Sequence, residues 1–187
     1  MSVATTIPAA ARLLVKVPLE TPEPLDLEPV IAVFHGWIQR DAVEGLLIDV
    51  ADYRHVPGGP GVVLIGHERD YAVDLGDGVT GMACIEKRDG DASSLEAQLR
   101  AAAARARVAA DLLVGGGSLR RWSVREGELV VRVLDRLLAP AGEEGERATA
   151  PALEDAARAI FGPGAVAEAV PAPKGPVTYR LRGASGR

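Results

Sequence analysis

Cysteine and aromatic residues are scarce in this chain, and each scarcity excludes a class of function. The single cysteine, Cys84, excludes an internal disulfide bond and any metal or iron–sulfur site built from several cysteines. Aromatic residues make up 4% of the 187 residues, too few for the stacking surface that holds single-stranded nucleic acid. No apolar run in the sequence approaches the ~20 residues that a membrane-spanning helix needs. We therefore expect neither a nucleic-acid partner nor a membrane partner.

Acidic residues outnumber basic ones, and the excess is concentrated in the first half of the chain. The formal net charge is −5, which argues against binding to a phosphate backbone. Residues 1–90 carry 14 acidic and 7 basic side chains, whereas residues 91–187 carry 12 acidic and 14 basic ones. Hydrophobic residues make up 48% of the chain, enough to build a core. With no charged and then apolar leader at its start, the sequence predicts a soluble cytoplasmic protein.

Helical spacing of apolar residues predicts three helices. The first begins near Asp26 and carries one apolar stripe, formed by Leu27, Val30, Ile31, Phe34, Trp37 and Ile38. The second covers residues 94–114 and begins with a capping box from Ser93 to Glu96. Its inner stripe is rich in small residues and consists of Leu95, Leu99, Ala102, Ala106, Ala109 and Leu113. A third, short helix is expected over residues 151–161, after a polar segment, 139–150, that we expect to be a mobile loop.

Short apolar segments between proline- and glycine-rich turns predict nine strands. Their expected ranges are 12–17, 46–56, 62–67, 71–75, 81–87, 122–124, 128–134, 166–170 and 177–181. Together with the helices they predict an α+β fold, a two-layer sandwich with a mostly antiparallel sheet and helices on one face. We expect a single domain over residues 11–183, preceded by a loose N-terminus over residues 1–10.

The two ends of the chain show a similar order of elements. Residues 11–67 and residues 128–183 each predict strand, helix, strand and strand, with a glycine- and proline-containing loop between the last two strands. The pattern suggests an internal duplication with the segment 71–118 inserted between the two copies. Chance agreement of a common supersecondary unit is an equally weighted alternative.

The common catalytic and phosphate-binding motifs do not occur in this sequence. The glycine-rich segment 57–61 precedes a predicted strand and lacks a following lysine, so it is typical of a hairpin loop rather than of a phosphate-binding loop. Neither a G-x-S-x-G motif nor an H-E-x-x-H motif is present. Cys84 lies within a strand-like apolar segment, which favours a buried side chain over a nucleophile.

Histidine and carboxylate residues are concentrated between residues 35 and 74. All three histidines fall in this region, and its acidic residues include Asp49, Asp52, Glu68, Asp70 and Asp74. If strands 46–56 and 61–70 form a hairpin around residues 57–60, His67 lies opposite Val50 and diagonal to Asp52. Asp49 then lies opposite Glu68. A slip of one residue in this register would exchange all of these neighbours.

Imidazole and carboxylate groups suit acid–base chemistry near neutral pH and the binding of divalent metal ions. We therefore take the catalytic candidates to be His67, Asp52, Asp49 and Glu68. The candidate ligand-binding residues are His35, His55 and Tyr53, and the candidate metal ligands are His67 and Asp52. The alternative is that these are structural pairs or solvated surface groups. The sequence points to no particular cofactor.

Three segments carry a resemblance to known proteins. They are Val33-Phe-His-Gly-Trp-Ile38, Leu46-Leu-Ile-Asp-Val-Ala-Asp-Tyr-Arg-His55 and Gly61-Val-Val-Leu-Ile-Gly-His-Glu68. They lie between residues 33 and 68, and they resemble a family of bacterial proteins with no assigned function. The resemblance implies no particular activity, ligand or fold.

Three kinds of function remain compatible with the sequence. The absence of catalytic motifs favours a binding or regulatory module for a small-molecule ligand or a protein partner. The alternative is a small metal- or acid–base-dependent enzyme that uses the histidine and carboxylate region. A further alternative is a homo-oligomeric assembly protein, such as a homodimer, in which the acidic half meets the segment 100–136 of another copy. That segment carries eight arginines and four acidic residues.

Overall fold

The computed structural model describes residues 6–87, 92–172 and 174–184. Within these residues the chain forms three α-helices, which are α1 Glu28–Arg40, α2 Leu95–Gly115 and α3 Glu143–Phe161. It also forms nine β-strands, which are β1 Leu13–Glu20, β2 Leu47–Tyr53, β3 Gly61–Gly66, β4 Arg69–Asp74, β5 Gly81–Glu86, β6 Ser123–Val124, β7 Glu128–Val133, β8 Val166–Val170 and β9 Val177–Arg182. Three parts of the sequence predictions lie outside the described residues, namely 1–5 of the terminus, 88–91 of the insertion and position 173 of the last loop.

The strands form one open sheet in which every recorded pair is antiparallel. The order across the sheet is β2-β3-β4-β5-β1-β7-β9-β8, and the short strand β6 pairs with the end of β1. Strands β1 and β7, which begin the two halves of the chain, lie side by side near the middle. The edges are formed by β2 and β8.

All three helices pack on one face of this sheet. Leu13, Val15 and Val17 of β1 belong to a continuous apolar core that also includes buried residues from each helix. The alternate residues of the strands form a smaller apolar cluster on the other face, which contains Leu14, Val63, Ala72, Ala83 and Ile85. The prediction of an α+β fold with two layers, an antiparallel sheet and helices on one face is therefore confirmed.

The periodic stripes of α1 and α2 face the core as predicted. In α1, Val30, Phe34 and Trp37 are buried. All six residues of the predicted stripe on α2 are at most 1% exposed. The predicted cap is wrong by one residue, because the hydroxyl of Ser94, not of Ser93, accepts a hydrogen bond from Ala97 N at 3.1 Å.

Helix α3 begins eight residues earlier than the sequence predicts, since it starts at Glu143 and not at Pro151. The expectation of a mobile loop over 139–150 is therefore wrong for residues 143–150. Pro151 lacks an N–H and disturbs the preceding turn, but two hydroxyl groups bond to carbonyl groups there. Thr149 Oγ1 donates to Gly145 O at 2.9 Å, and Tyr179 Oη donates to Glu146 O at 2.9 Å. These contacts and the packing of the helix outweigh the local effect of proline.

The segment before β1 is not loose where the structure describes it. Ala10 is buried, and its backbone N–H and C=O both bond to the side chain of Gln98 at 2.8 Å. Leu95 N at the start of α2 donates to Ile7 O at 2.9 Å. The expected loose terminus over 1–10 is therefore wrong for residues 7–10, which are tied to α2.

The register of the β2–β3 hairpin differs from the predicted one. Val50 lies opposite Leu64, three residues before His67, and Asp49 lies opposite Ile65. Strand β2 ends opposite Gly61, where φ is +63° and a Cβ would collide with the carbonyl oxygen of Val73. The connecting loop is therefore longer than residues 57–60. The pairing is displaced by three residues from the predicted register. Since this number is odd, side chains predicted to share one face of the hairpin lie on opposite faces, and the predicted neighbours of His67 and Asp49 are wrong.

The two segments expected to be repeats have different strand orders. In the second segment β9 pairs directly with β7, whereas in the first segment β4 and β5 separate β3 from β1. The hairpin β4–β5 occupies the position beside β1 that β8–β9 occupies beside β7. Strands of the expected insertion 71–118 are thus part of the central sheet. The predicted correspondence of residues 11–67 with residues 128–183 is therefore wrong, whereas an internal duplication as such stays a prediction.

Candidate functional site

The histidine region predicted from the sequence lies on the protein surface. His35 on α1, His55 in the loop after β2 and His67 after β3 are all exposed. Tyr53 is 42% exposed, and its ring centroid lies 6.5 Å from that of His55. Asp49 accepts a hydrogen bond from Val50 N at 2.7 Å. These residues follow the exposed edge of the sheet and do not surround a common point.

The predicted contact between His67 and Asp52 is wrong. Among the described residues, no hydrogen bond or ion pair joins the two side chains, and Asp52 is bound by Arg54 instead. Arg54 Nε and Nη2 donate to the two carboxylate oxygens at 2.9 and 2.6 Å, and these bonds lower the pKa of Asp52 to about 2. Glu68 accepts a long hydrogen bond, at 3.5 Å, from Leu46 N.

The prediction of a metal site finds no support in this geometry. Within residues 6–87, 92–172 and 174–184, no three histidine, cysteine or carboxylate side chains are grouped as metal ligands. The catalytic and ligand-binding roles of the histidine region stay predictions. Cys84 is buried as expected, and burial raises the pKa of its thiol.

Two carboxylates of the same sequence region are buried and paired. Asp70 lies 2.8 Å from Lys87 Nζ and accepts a hydrogen bond from Gly66 N. Asp74 accepts hydrogen bonds from Lys16 at 2.7 Å and from Arg132 at 2.8 Å. Both aspartates therefore hold strands and turns together.

Lys16 is a fully buried cation that sequence analysis did not single out. Its Nζ atom donates to Asp74 Oδ2 and Gly76 O at 2.7 Å and to Val79 O at 2.9 Å. Burial lowers the pKa of Lys16, although Asp74 opposes that shift. Because all three donors are engaged and no part of the side chain is exposed, this cluster fixes the turn at Gly76–Gly78 to β1. The signal in the sequence was one lysine within the apolar strand Leu13–Glu20.

A cleft of about 610 Å³ opens on the helix-bearing side, between α2, the C-terminal end of α3 and the turn between β6 and β7. Its volume is within the range of roughly 300–1,000 Å³ that is usual for small-molecule sites. Most of the wall is apolar. The apolar lining residues are Val17, Ala97, Ala101, Ala103, Ala104, Leu129, Ile160 and Phe161.

The cleft exists because α2 presents alanine on the side that faces it. Ala97, Ala101 and Ala104 recur at helical spacing and lie on a different side of the helix from the buried stripe of Leu95 and Leu99. Larger side chains at these positions would occupy the space. On the opposite wall, α3 ends at Phe161, because Gly162 adopts a φ of +95°.

Three arginines and two glutamates also line the cleft. They are Arg100, Arg107, Arg125, Glu126 and Glu128. The described lining contains no histidine, cysteine, serine or lysine. The titratable acids in the described lining are Glu126 and Glu128, and both lie close to arginines.

The arginines differ in how many of their donors are engaged. Arg107 donates to both oxygens of Asp111 at 3.0 Å and to both oxygens of Glu126 at 2.6 and 2.8 Å. The hydrogen bonds from Arg107 lower the pKa of Glu126, so this pair is ionised at neutral pH. Arg125 donates to Glu20 at 2.7 Å, whereas Arg100 has one contact with Glu96 at 3.4 Å.

Glu128 joins several arginines at one end of the cleft. Its carboxylate lies 3.9 Å from Arg125 and Arg180 and 3.7 Å from Arg182. Atom Oε1 is buried and accepts no hydrogen bond from the described residues. The charge of Glu128 is therefore shared by Arg125 and by two arginines of β9, Arg180 and Arg182.

Sequence analysis did not predict the cleft, although two of its signals were visible. The small residues that the sequence singled out on α2 were those of its inner stripe, whereas Ala97, Ala101 and Ala104 face the cleft. The arginines of the segment 100–136 were interpreted as a surface for a second copy. That Arg100, Arg107 and Arg125 line one cavity depends on the pairing of β6 and β7 with β1, which no local pattern shows.

Comparison with protein-family models and with curated protein sequences found no match. The resemblance to bacterial proteins of unassigned function therefore stays a prediction. No helix in the described part of the chain is long and apolar enough to cross a membrane. The geometry of the cleft thus carries the functional argument alone.

Proposed function

We propose that this protein is a cytoplasmic binding module that holds a small, largely apolar molecule in the cleft between α2 and α3. The observation that carries the proposal is the combination of a cleft of about 610 Å³ with a wall of alanine, leucine, isoleucine and phenylalanine side chains. Such concave apolar sites are the usual form of small-molecule sites in proteins. The described wall has no histidine, cysteine, serine or lysine, and its two glutamates lie close to arginines, which favours binding over catalysis.

The shape of the cleft limits the ligand. Its floor is made by Val17 of β1 and Leu129 of β7, and its sides by α2 and by Ile160 and Phe161 of α3. An alkyl chain or a ring system fits between these side chains. Transfer of apolar surface from water contributes about 25 cal/mol for each Å² buried. An apolar body is therefore the main source of affinity in this proposal.

A neutral fluorescent probe, N-phenyl-1-naphthylamine, tests the proposal directly. We expect saturable binding of one probe molecule for each chain, with a rise in fluorescence. Ala104 is exposed and lines the cleft, so Ala104→Trp fills the space without disturbing the core. We expect this variant to lose at least about tenfold in affinity, which corresponds to about 1.4 kcal/mol.

The matched control is Ala32→Trp, which places the same side chain on the exposed side of α1, away from the cleft. This variant should bind the probe as the wild type does. Absence of saturable binding to the wild type, or equal binding by Ala104→Trp, would overturn the proposal. A screen of small molecules by melting temperature can then search for the ligand, because a ligand at 100 times its Kd adds about 2.7 kcal/mol.

A further inference from the structure

We propose that the ligand of the cleft is a carboxylic acid and that Arg100 binds its acidic group. The inference rests on the proposed function and adds to it the chemical class of the ligand and the residue that selects it. It follows from a comparison of the three arginines that line the same cleft, Arg100, Arg107 and Arg125.

Arg107 is engaged with carboxylates at all three of its guanidinium nitrogens. Its Nε, Nη1 and Nη2 atoms all donate to carboxylates, with the shortest bond, 2.6 Å, to Glu126. The pair with Glu126 is bidentate, which is the strongest geometry for an arginine and a carboxylate. Arg107 therefore fixes the turn between β6 and β7 against α2.

Arg125 is held between two glutamates. Its Nε atom donates to Glu20 at 2.7 Å, and its Nη1 atom lies 3.9 Å from Glu128. Glu128 is also close to Arg180 and Arg182, so the stronger partner of Arg125 is Glu20. A ligand carboxylate that approached Arg125 would have to compete with Glu20 for the same guanidinium.

Arg100 has the weakest contacts with acidic side chains among the three arginines. Its single contact with an acidic side chain is the 3.4 Å hydrogen bond from Nη1 to Glu96, so most of its five N–H groups have no protein acceptor in the described residues. Its side chain is 57% exposed, against 44% for Arg107 and 40% for Arg125. Arg100 lies on α2 between Ala97 and Ala101, which places a weakly paired cation on the wall of an apolar cavity.

The planar guanidinium of arginine matches a carboxylate with two parallel hydrogen bonds. When Arg100 turns to a ligand, Glu96 loses one long contact. Glu96 lies in the first turn of α2, where the helix dipole stabilises a negative charge. A change of partner from Glu96 to the ligand therefore costs Arg100 little free energy. The apolar body of the acid can then lie against the alanines of α2.

Matched ligands that differ only in the head group test this inference. Decanoate, decanol and decylamine are each used to displace N-phenyl-1-naphthylamine, whose neutrality makes the reporter insensitive to charge. For the wild type we expect decanoate to bind most tightly. In Arg100→Gln, decanoate should lose about tenfold in affinity while decanol is unchanged, because only the acid makes the charged hydrogen bonds.

Two further variants sharpen the test. Arg100→Lys keeps the charge but not the bidentate geometry, so we expect a loss for decanoate smaller than that of Arg100→Gln. Arg147→Gln removes an exposed arginine of α3 that does not line the cleft, and it should leave all three affinities unchanged.

The outcomes separate this inference from the proposed function. If the probe binds, Ala104→Trp abolishes binding, and Arg100→Gln affects decanoate and decanol equally, the inference is overturned while the proposed function stands. Tighter binding of decylamine than of decanoate would also overturn it and would point to Glu126 or Glu128 as the selecting group. If the wild type binds neither the probe nor decanoate, both proposals fail together.

Discussion

Lys16 Nζ donates a hydrogen bond to Asp74 Oδ2 at 2.7 Å, and the two side chains are 0% and 4% exposed. The ammonium group also bonds to the carbonyl oxygens of Gly76 and Val79. Arg132 supplies a second cation to the same carboxylate oxygen at 2.8 Å. Lys16 thus attaches the turn at Gly76–Gly78 to β1. Its hydrogen bonds offset the desolvation cost of burying the ammonium group.

Lys16→Met should therefore destabilise the protein strongly. The substitution removes a donor from the carbonyl groups of Gly76 and Val79, and it removes one of the cations beside Asp74. Breaking a buried ion pair from one side costs about 3–5 kcal/mol. Urea denaturation of wild type and variant measures the free energy of unfolding. The control, Arg158→Met on the surface of α3, should change it by about 1 kcal/mol or less, and an equally small change for Lys16→Met would contradict the prediction.

Pro151→Ala should stabilise the protein, because the alanine restores the N–H group that the middle of α3 lacks. Proline in a helix interior costs up to about 3 kcal/mol, so we expect a gain of about 1–3 kcal/mol and a higher melting temperature. Pro29→Ala is the matched control, since Pro29 lies in the first turn of α1, where proline is favourable. An unchanged or lower melting temperature for Pro151→Ala would indicate that the helix begins at Pro151.

Asp135 gives the protein a pH-dependent contribution to stability. Its carboxylate accepts hydrogen bonds from the N–H groups of Ala11 at 2.9 Å, Leu137 at 3.0 Å and Leu138 at 3.2 Å. These bonds, that from Ala11 first, lower the pKa of Asp135. A carboxyl group with a lowered pKa stabilises the fold fully above its unfolded pKa of about 4, and the contribution is lost as pH falls through the folded pKa.

Asp135→Asn should thus lower the free energy of unfolding by about 1 kcal/mol at neutral pH. The difference from wild type should shrink as the pH falls below about 4, where the wild-type carboxyl becomes protonated and resembles the amide. Glu154→Gln on the exposed side of α3 serves as the control. Denaturation curves at several pH values measure both variants, and a difference independent of pH would count against the role assigned to Asp135.

Ala106→Leu should destabilise the protein by roughly 1–3 kcal/mol through overpacking. Ala106 is 0% exposed and lies in the middle of the α2 stripe that packs on β1 and β5. Ala32→Leu on the exposed side of α1 should leave the melting temperature nearly unchanged. If Ala106→Leu also left the melting temperature unchanged, the packing of α2 against the sheet would be looser than the structure shows.

Much of the secondary structure could be predicted from the sequence because it is encoded over short distances. The spacing of Val30, Phe34 and Trp37 predicted the buried side of α1, and the stripe from Leu95 to Leu113 predicted that of α2. Helices lying on one face of an antiparallel sheet follow from such patterns, because each apolar side needs a layer to cover it. Local periodicity also placed Cys84 in the interior.

Only the tertiary structure decided where these elements meet. The register of β2 and β3 depends on a turn that ends at Gly61, and the N-terminal half of α3 depends on the hydroxyl groups of Thr149 and Tyr179. The partners of Lys16 and the set of side chains around the cleft come from segments distant in the chain. Periodicity records which side of an element is apolar, but not which strand pairs with it or in which register. Sequence therefore determined the elements and their layers, whereas long-range pairing determined the candidate site.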